Sequence, residues 1–279
     1  MRALAESARR KGSPLIVGLD PVPARFPEHL KGLPEPRATL EFCLGILEAV
    51  EAYAAAVKPQ AAFFERLGPE GIEVYAALIS AAGDLGLPVI ADVKRGDIGP
   101  VAAAYAEAHL RLYGAASVTV NPYMGADAVL PFLEEARRLN AGGGVFVLVA
   151  TSNPSAEALQ GSTEPPLRDM AARLIADLGR RDGEYLDAGA VVGATRPEVG
   201  RRVRGLLPDA LFLCPGYGAQ GGGAAEILPL LDARGAGVLV NSSRAILYAH
   251  ENEPGDYRRA AGEAARRAKD DLLQAGIGY

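Results

Sequence analysis

Apolar and polar positions along the chain fall into a repeating alternation. Short, nearly continuous apolar runs recur at Leu15–Asp20, Ala54–Lys58, Pro88–Lys94, Ser117–Asn121, Val145–Ala150, Ala190–Gly193, Leu211–Cys214 and Gly237–Asn241. Each has strand length and is bounded by turn residues. Between them lie segments with apolar residues at helical spacing: Thr39–Tyr53, Gly71–Leu85, Pro100–Tyr113, Ala126–Leu139, Pro166–Arg180, Pro197–Leu206 and Ala224–Ala233. A last helix is expected over Asp256–Leu273. Strand–helix alternation through eight cycles predicts an α/β fold with a parallel sheet. The continuous apolar character of the strands predicts burial on both faces. Eight such units are the count that closes into a (β/α)8 TIM barrel, here one domain over residues 1–279. A doubly wound open sheet is the alternative, and the lack of G-x-G-x-x-G after the first strand speaks against it. The Pro- and Gly-bearing stretch Gln160–Pro166 reads as a loop within the barrel and not as a linker.

Composition narrows the partners. A chain of 279 residues with 49% hydrophobic content buries a sizeable core. Its formal net charge of -5 gives no reason to expect a nucleic-acid or membrane-surface partner. A phosphorylated small molecule stays compatible, because local arginines and backbone N–H groups bind anions whatever the global sign. Cys43 and Cys214 make no disulfide framework, which fits a reducing cytoplasm. The opening MRALAESARRKGSP lacks an apolar signal-peptide region, and no apolar run reaches membrane-spanning length. His29, His109 and His250 are scattered and none has zinc-ligand spacing, so neither metal nor cofactor is expected.

In a TIM barrel the active site lies at the C-terminal strand ends, and the polar residues fall there. The first strand ends in Asp20, the second in Lys58 and the fourth in Asn121; the fifth leads into Thr151-Ser152-Asn153-Pro154. The richest segment is Ala91-Asp92-Val93-Lys94-Arg95-Gly96-Asp97-Ile98. Residues two apart on a strand share a face, so Asp92 and Lys94 project together, with Asp97 just beyond a turn at Gly96. Such a cluster holds a lysine between two carboxylates, ready to donate a proton. A surface ion-pair ladder at a strand–helix corner is the plainer alternative.

The seventh strand runs into a Gly-rich loop, Pro215-Gly216-Tyr217-Gly218-Ala219-Gln220-Gly221-Gly222-Gly223, and the eighth into Asn241-Ser242-Ser243-Arg244. TIM barrels often bind phosphate with these two loops. Glycines permit close backbone approach, Gln220 adds an amide donor, and Arg244 offers a planar fork for two phosphate oxygens. Ser242 and Ser243 are candidates to cap the short helix that follows. Ser152 has no histidine partner in view, which argues against a Ser/His/Asp hydrolase. Cys214 reads as a buried strand-end residue, and Glu65 has no evident task.

Taken together these positions resemble orotidine 5′-phosphate decarboxylases, most closely the longer bacterial form with ADVKRGDI, KPQ-x-AFFE and PG-x-GAQGG segments. The likeness runs from the first strand to the eighth. The D-x-K-x-x-D-I core is shared with related sugar-phosphate enzymes; its combination with S-N-P, PGYGAQGG and the late arginine is more specific. The resemblance implies Lys94 as proton donor to C6 of the pyrimidine and Asp92 beside the substrate carboxylate. It implies that Asp97 completes the charge network and that Ile98 walls the pocket, from the neighbouring subunit of a homodimer. Lys58 would hold the ribose and the network, Asp20 a ribose hydroxyl, and Ser152 the pyrimidine edge. Pro215 would line the site, and Gln220 and Arg244 would bind the phosphate. One position departs: the family's usual Thr four residues after the last Asp is Val101 here, which removes a hydroxyl contact across the interface.

Three other readings remain open. A metal-dependent sugar-phosphate decarboxylase or aldolase shares the D-x-K-x-x-D pattern. A Schiff-base aldolase would use Lys94 as a nucleophile, which flanking carboxylates oppose. The non-enzymatic reading is a barrel that only binds phosphate.

Overall fold

The structure is a computed structural model and describes residues 1–217, 223–253 and 255–279. Eight strands form one parallel sheet: β1 (Leu15–Leu19), β2 (Ala56–Pro59), β3 (Ile90–Arg95), β4 (Ser117–Val120), β5 (Gly144–Ala150), β6 (Ala188–Val192), β7 (Phe212–Cys214) and β8 (Val238–Ser242). Their order is 2-1-8-7-6-5-4-3. Parallel bridges Val57–Val89 and Gln60–Asp92 draw β2 against β3 and bring the two edges of the sheet together as a barrel. The expected TIM-barrel fold is thus the observed one.

The pleat sorts side chains into two populations. Leu15, Val17, Val57, Ala91, Val118, Val145, Val147, Ala190, Phe212 and Val240 face outward and join the helices in the larger core, with Phe42, Ile46, Phe64, Phe132 and Ile175. The opposite parity, Ile16, Ala56, Ile90, Phe146, Val191, Leu213 and Leu239, fills the barrel's interior. The helix Arg2–Lys11 closes the N-terminal end of the barrel by setting Met1, Leu4, Ala5 and Ala8 against that interior cluster. The inward parity continues toward the C-terminal strand ends as Lys58, Asp92, Lys94, Thr119, Asn121, Asn241 and Ser243. Apolar residues occupy the lower layers and polar residues the top one, so the site stands on a packed floor.

Most helices lie within a few residues of expectation: Glu35–Val50, Pro69–Asp84, Ala126–Leu139, Leu167–Leu178, Pro197–Leu206 and Tyr257–Gln274. Two differ. The helix expected over Ala224–Ala233 is only a 3-10 turn, Leu228–Leu230; Pro229 lacks the N–H and crowds the preceding turn. The helix after β3 is α-helical over Gly99–Ala106 and then π-helical over Glu107–Leu112. The helix Arg2–Lys11 and the hairpin Arg181–Asp182/Tyr185–Leu186 were not foreseen. No helix among the described residues is long and apolar enough to cross a membrane.

Candidate active site

Asp92 is the hub. Its side chain is 8% exposed, and each carboxylate oxygen takes an ammonium: Oδ2 from Lys58 Nζ at 2.8 Å and Oδ1 from Lys94 Nζ at 2.5 Å. Oδ1 also accepts from the Thr119 hydroxyl at 2.9 Å. The two lysines differ in setting, because the Lys58 side chain is 6% exposed whereas that of Lys94 is 45% exposed at the cavity. Burial alone would raise the Asp92 carboxyl. The charges of Lys58 and then Lys94, with their hydrogen bonds, together outweigh it and hold the group well below the usual carboxylate range. Burial would likewise lower the Lys58 ammonium, yet the charges of Asp92 and then Asp20 raise it.

β3 does not end as a regular strand. Lys94 has φ 47°, in the left-handed region, and the β3–β4 register shifts between Ala91 and Arg95. Thr119 on β4 meets this irregularity: its Oγ1 accepts from both Val93 N and Lys94 N at 3.0 Å. Sequence reasoning missed Thr119. Its inward parity with Asn121, two residues on, was the available signal. Gly96 follows, and a Cβ there would sit 2.9 Å from the Asn121 carbonyl oxygen, so the chain passes β4 only as glycine.

Two adjoining cavities open over this hub. One, of about 340 Å³, is lined by Lys58, Asp92, Lys94, Thr119, the loop Thr151-Ser152-Asn153 and Pro215, with Leu148, Val191 and Leu213 as its apolar floor. The second, of about 160 Å³, shares Lys58, Asp92 and Pro215 and adds Asp20, Gln60, Tyr217, Asn241, Ser243 and Arg244. In the second, the buried oxygens Asp20 Oδ1 and Asn241 Oδ1 have no hydrogen-bond partner among the described residues. The two lobes suit a flat, partly apolar ring beside a polar, anionic extension. Gln60 is a further site residue that sequence reasoning did not single out, and Asn241, named there only as a strand-end residue without a role, joins it. Close approach shapes this corner too: a Cβ on Gly18 would lie 1.9 Å from Ser243 Oγ.

Asp20, Lys58, Asp92, Lys94, Ser152, Pro215 and Arg244 thus gather around the joined cavities. Gln220 lies outside the described residues. The expectation of a lysine between two carboxylates of its own segment holds for Asp92 and not for Asp97. The Asp97 carboxylate accepts from the Ile98 amide at 2.8 Å and, among the described residues, makes no ion pair. The turn after Arg95 carries both residues outward, and Ile98 is exposed. Ser243 is the residue before the helix Arg244–Leu247, but its side chain makes no capping bond; its Oγ instead accepts from Asn241 Nδ2 at 3.2 Å. Glu65 acquires a task, an ion pair with Arg95 beside the lysine. Cys214 is buried and its thiol is pushed up to about 12 by burial, so it is not a thiolate nucleophile at neutral pH. Among the described residues no group of three or more His, Cys, Asp or Glu is placed to hold a metal ion.

Comparison with known proteins agrees with this geometry. A sequence model of the orotidine 5′-phosphate decarboxylase / HUMPS family matches residues 13–259. The chain is 43% identical over 267 residues to the orotidine 5′-phosphate decarboxylase of Rhodopirellula baltica, covering 88% of this chain and 86% of that one. It is 42% identical over 273 residues to that of Deinococcus radiodurans, covering 97% and 96%. Among solved structures, the OMP decarboxylase of Leishmania donovani superposes with a TM-score of 0.76 at 32% identity, covering 98% of this chain and 97% of that one.

Proposed function

The chain belongs to the orotidine 5′-phosphate decarboxylase / HUMPS family, and we propose how its cavity performs the reaction. It is an enzyme that decarboxylates orotidine 5′-phosphate to uridine 5′-phosphate in pyrimidine biosynthesis. The observation that carries the mechanism is the Lys58–Asp92–Lys94 chain of ion pairs at the mouth of the apolar-floored cavity. The pyrimidine lies over Leu148, Val191 and Leu213 with its edge toward Ser152. The ribose and phosphate occupy the second lobe, near Asp20, Lys58, Pro215 and Arg244, and Gln220, outside the described residues, is assigned to phosphate binding by the family resemblance alone.

In the reaction the bond from C6 to the carboxylate carbon breaks, CO2 leaves, and the electron pair stays on C6 in the plane of the ring. The ring cannot delocalise that pair, so a charge fixed in advance must stabilise it. The Lys94 ammonium supplies this charge and then transfers one N–H proton to C6; solvent later returns a proton to the amine. Asp92 cannot move to relieve its repulsion of the substrate carboxylate, because three donors hold its two oxygens. Departure of CO2 removes that repulsion. No organic or metal cofactor has a part in this scheme.

The active species is a homodimer in this reading. Ile98, Val101 and Tyr105, at helical spacing after β3, are exposed together with Tyr123 and Met124 after β4. An apolar surface of this kind beside Asp97 supports a neighbour docking there and receiving Asp97 and Ile98 into its own site. Val101 lies within that stripe, where it adds apolar area in place of the hydroxyl contact it removes. Two buried thiols and the absence of any membrane-spanning helix among the described residues fit a cytoplasmic enzyme.

The test follows the fall in orotidine 5′-phosphate absorbance with and without excess EDTA, in the wild type and in Lys94→Ala. Activity is expected to survive EDTA and to vanish in Lys94→Ala while phosphate affinity persists. A chelator-sensitive activity restored by magnesium would move the chain to a metal-dependent reaction, and near-normal turnover of Lys94→Ala would refute the proton-donor role.

A further inference from the structure

We propose that Thr119 is a positioning residue, whose hydroxyl sets the proton-donating lysine against Asp92. The inference rests on the reading of Lys94 as donor. A threonine hydroxyl has one hydrogen to give and two lone pairs to receive, and Thr119 uses all three. It donates to Asp92 Oδ1 at 2.9 Å and accepts from Val93 N and from Lys94 N at 3.0 Å each. The residue is 1% exposed, so water has no ready access to replace these bonds.

The conformation held there needs holding. A left-handed backbone is disfavoured for a residue with a Cβ, and among the described residues only Lys94 and Asn140 adopt it without being glycine. Asn140 ends a helix, a usual place for that conformation. Lys94 lies one residue before the end of β3, within a register shift, where no regular ladder satisfies two successive amides. Thr119 satisfies both from the neighbouring strand. With the backbone turned in this way, Lys94 Nζ reaches the same Asp92 oxygen that Thr119 bonds, at 2.5 Å, and stays at the cavity. One hydroxyl therefore fixes the lysine backbone and the orientation of the carboxylate it faces.

Steady-state kinetics with orotidine 5′-phosphate test this in Thr119→Val, which keeps the shape and removes the hydroxyl, and in Thr119→Ser, which keeps the hydroxyl. Thr119→Val should lower kcat about 10- to 100-fold with KM within about threefold, since two amides and a carboxylate oxygen lose a shared partner. Thr119→Ser should keep kcat within about threefold of wild type. If Thr119→Val does not fold, Thr119→Ala takes its place under the same criteria. The proposal is overturned if the hydroxyl-free variant turns over at the wild-type rate. It is equally overturned if serine is as impaired as valine, or if the loss lies in KM alone, which would make Thr119 a binding residue. Normal turnover of Lys94→Ala would instead strike down the donor reading beneath it, and that outcome is distinct from all three.

Discussion

Asp92→Asn separates the stabilising and the costly parts of the buried charge network. Asparagine keeps the shape and removes the negative charge. Lys94 is 45% exposed and can turn to water, whereas Lys58 is 6% exposed and cannot. The substitution therefore strands one buried ammonium, and breaking a buried pair in this way costs about 3–5 kcal/mol. With an unfolding entropy of ~2.1 cal/mol/K per residue over 279 residues, that corresponds to a Tm lower by about 5–9 °C. The pH dependence gives a second signature. In the wild type the Lys58 ammonium is raised, so its contribution is fully present below the unfolded-state value of about 10.4 and lost as pH climbs through the higher folded value. Without Asp92 the burial that opposes the charge prevails and the folded value drops. The unfolded state then binds more protons, and the stability deficit should shrink between neutral pH and about pH 10. Urea unfolding of wild type, Asp92→Asn, Lys58→Met and the double variant measures this. The double variant should recover most of the loss, because no buried charge is left unpaired. A single-variant loss under about 1 kcal/mol, or a double variant no better than Asp92→Asn, would refute the reasoning.

Three further outcomes are expected. His109, buried in the π-helical turn with Nδ1 unpartnered among the described residues, is pulled down to about 4, by burial first and then by Arg95; its stabilising share is complete above pH ~6.5 and lost as pH falls, by about 3 kcal/mol in all. Urea unfolding from pH 7 to 4 should show that slope in the wild type and a flatter one in His109→Phe; equal slopes would mean His109 is not the titrating group. Arg244→Ala should weaken orotidine 5′-phosphate by about 1.5–3 kcal/mol in competition assays and leave unphosphorylated orotidine nearly unchanged, as a charge-assisted phosphate contact requires. Equal losses for both ligands would make Arg244 structural. Mixing Lys94→Ala with Asp97→Ala subunits should restore about a quarter of wild-type sites, since half of randomly reassorted two-fold dimers carry one intact site of two. No recovery after demonstrated subunit exchange would assign Asp97 to its own barrel.

Strand count, the barrel and the Asp92/Lys94 pairing were all readable from the sequence, because burial on both sheet faces imposes continuous apolar runs and the pleat imposes a period of two. The same local rules placed Asp20, Lys58, Ser152, Pro215 and Arg244 at strand ends, and there the fold assembles them. Local pattern gave no hint of the 3-10 turn at Leu228–Leu230 beyond Pro229, nor of the helix Arg2–Lys11, whose apolar face has meaning only against the barrel floor. Glu65 and Thr119 looked ordinary in the chain, since a partner on another strand cannot be seen in the spacing of one. The left-handed turn at Lys94 belongs to the same class. Nothing in a lysine's own preferences asks for it, and it exists because β4 offers a hydroxyl to two amides that β3 can no longer pair. The sequence by itself determined which residues bear charge and which way each strand presents them. Tertiary structure alone decided which charges meet: Lys58 and Asp92 stand 34 positions apart in the chain and 2.8 Å apart in the barrel, whereas Asp97, five positions from Asp92, is turned away. Contact between distant residues depends on register and closure of the whole sheet, and those are properties of no single segment.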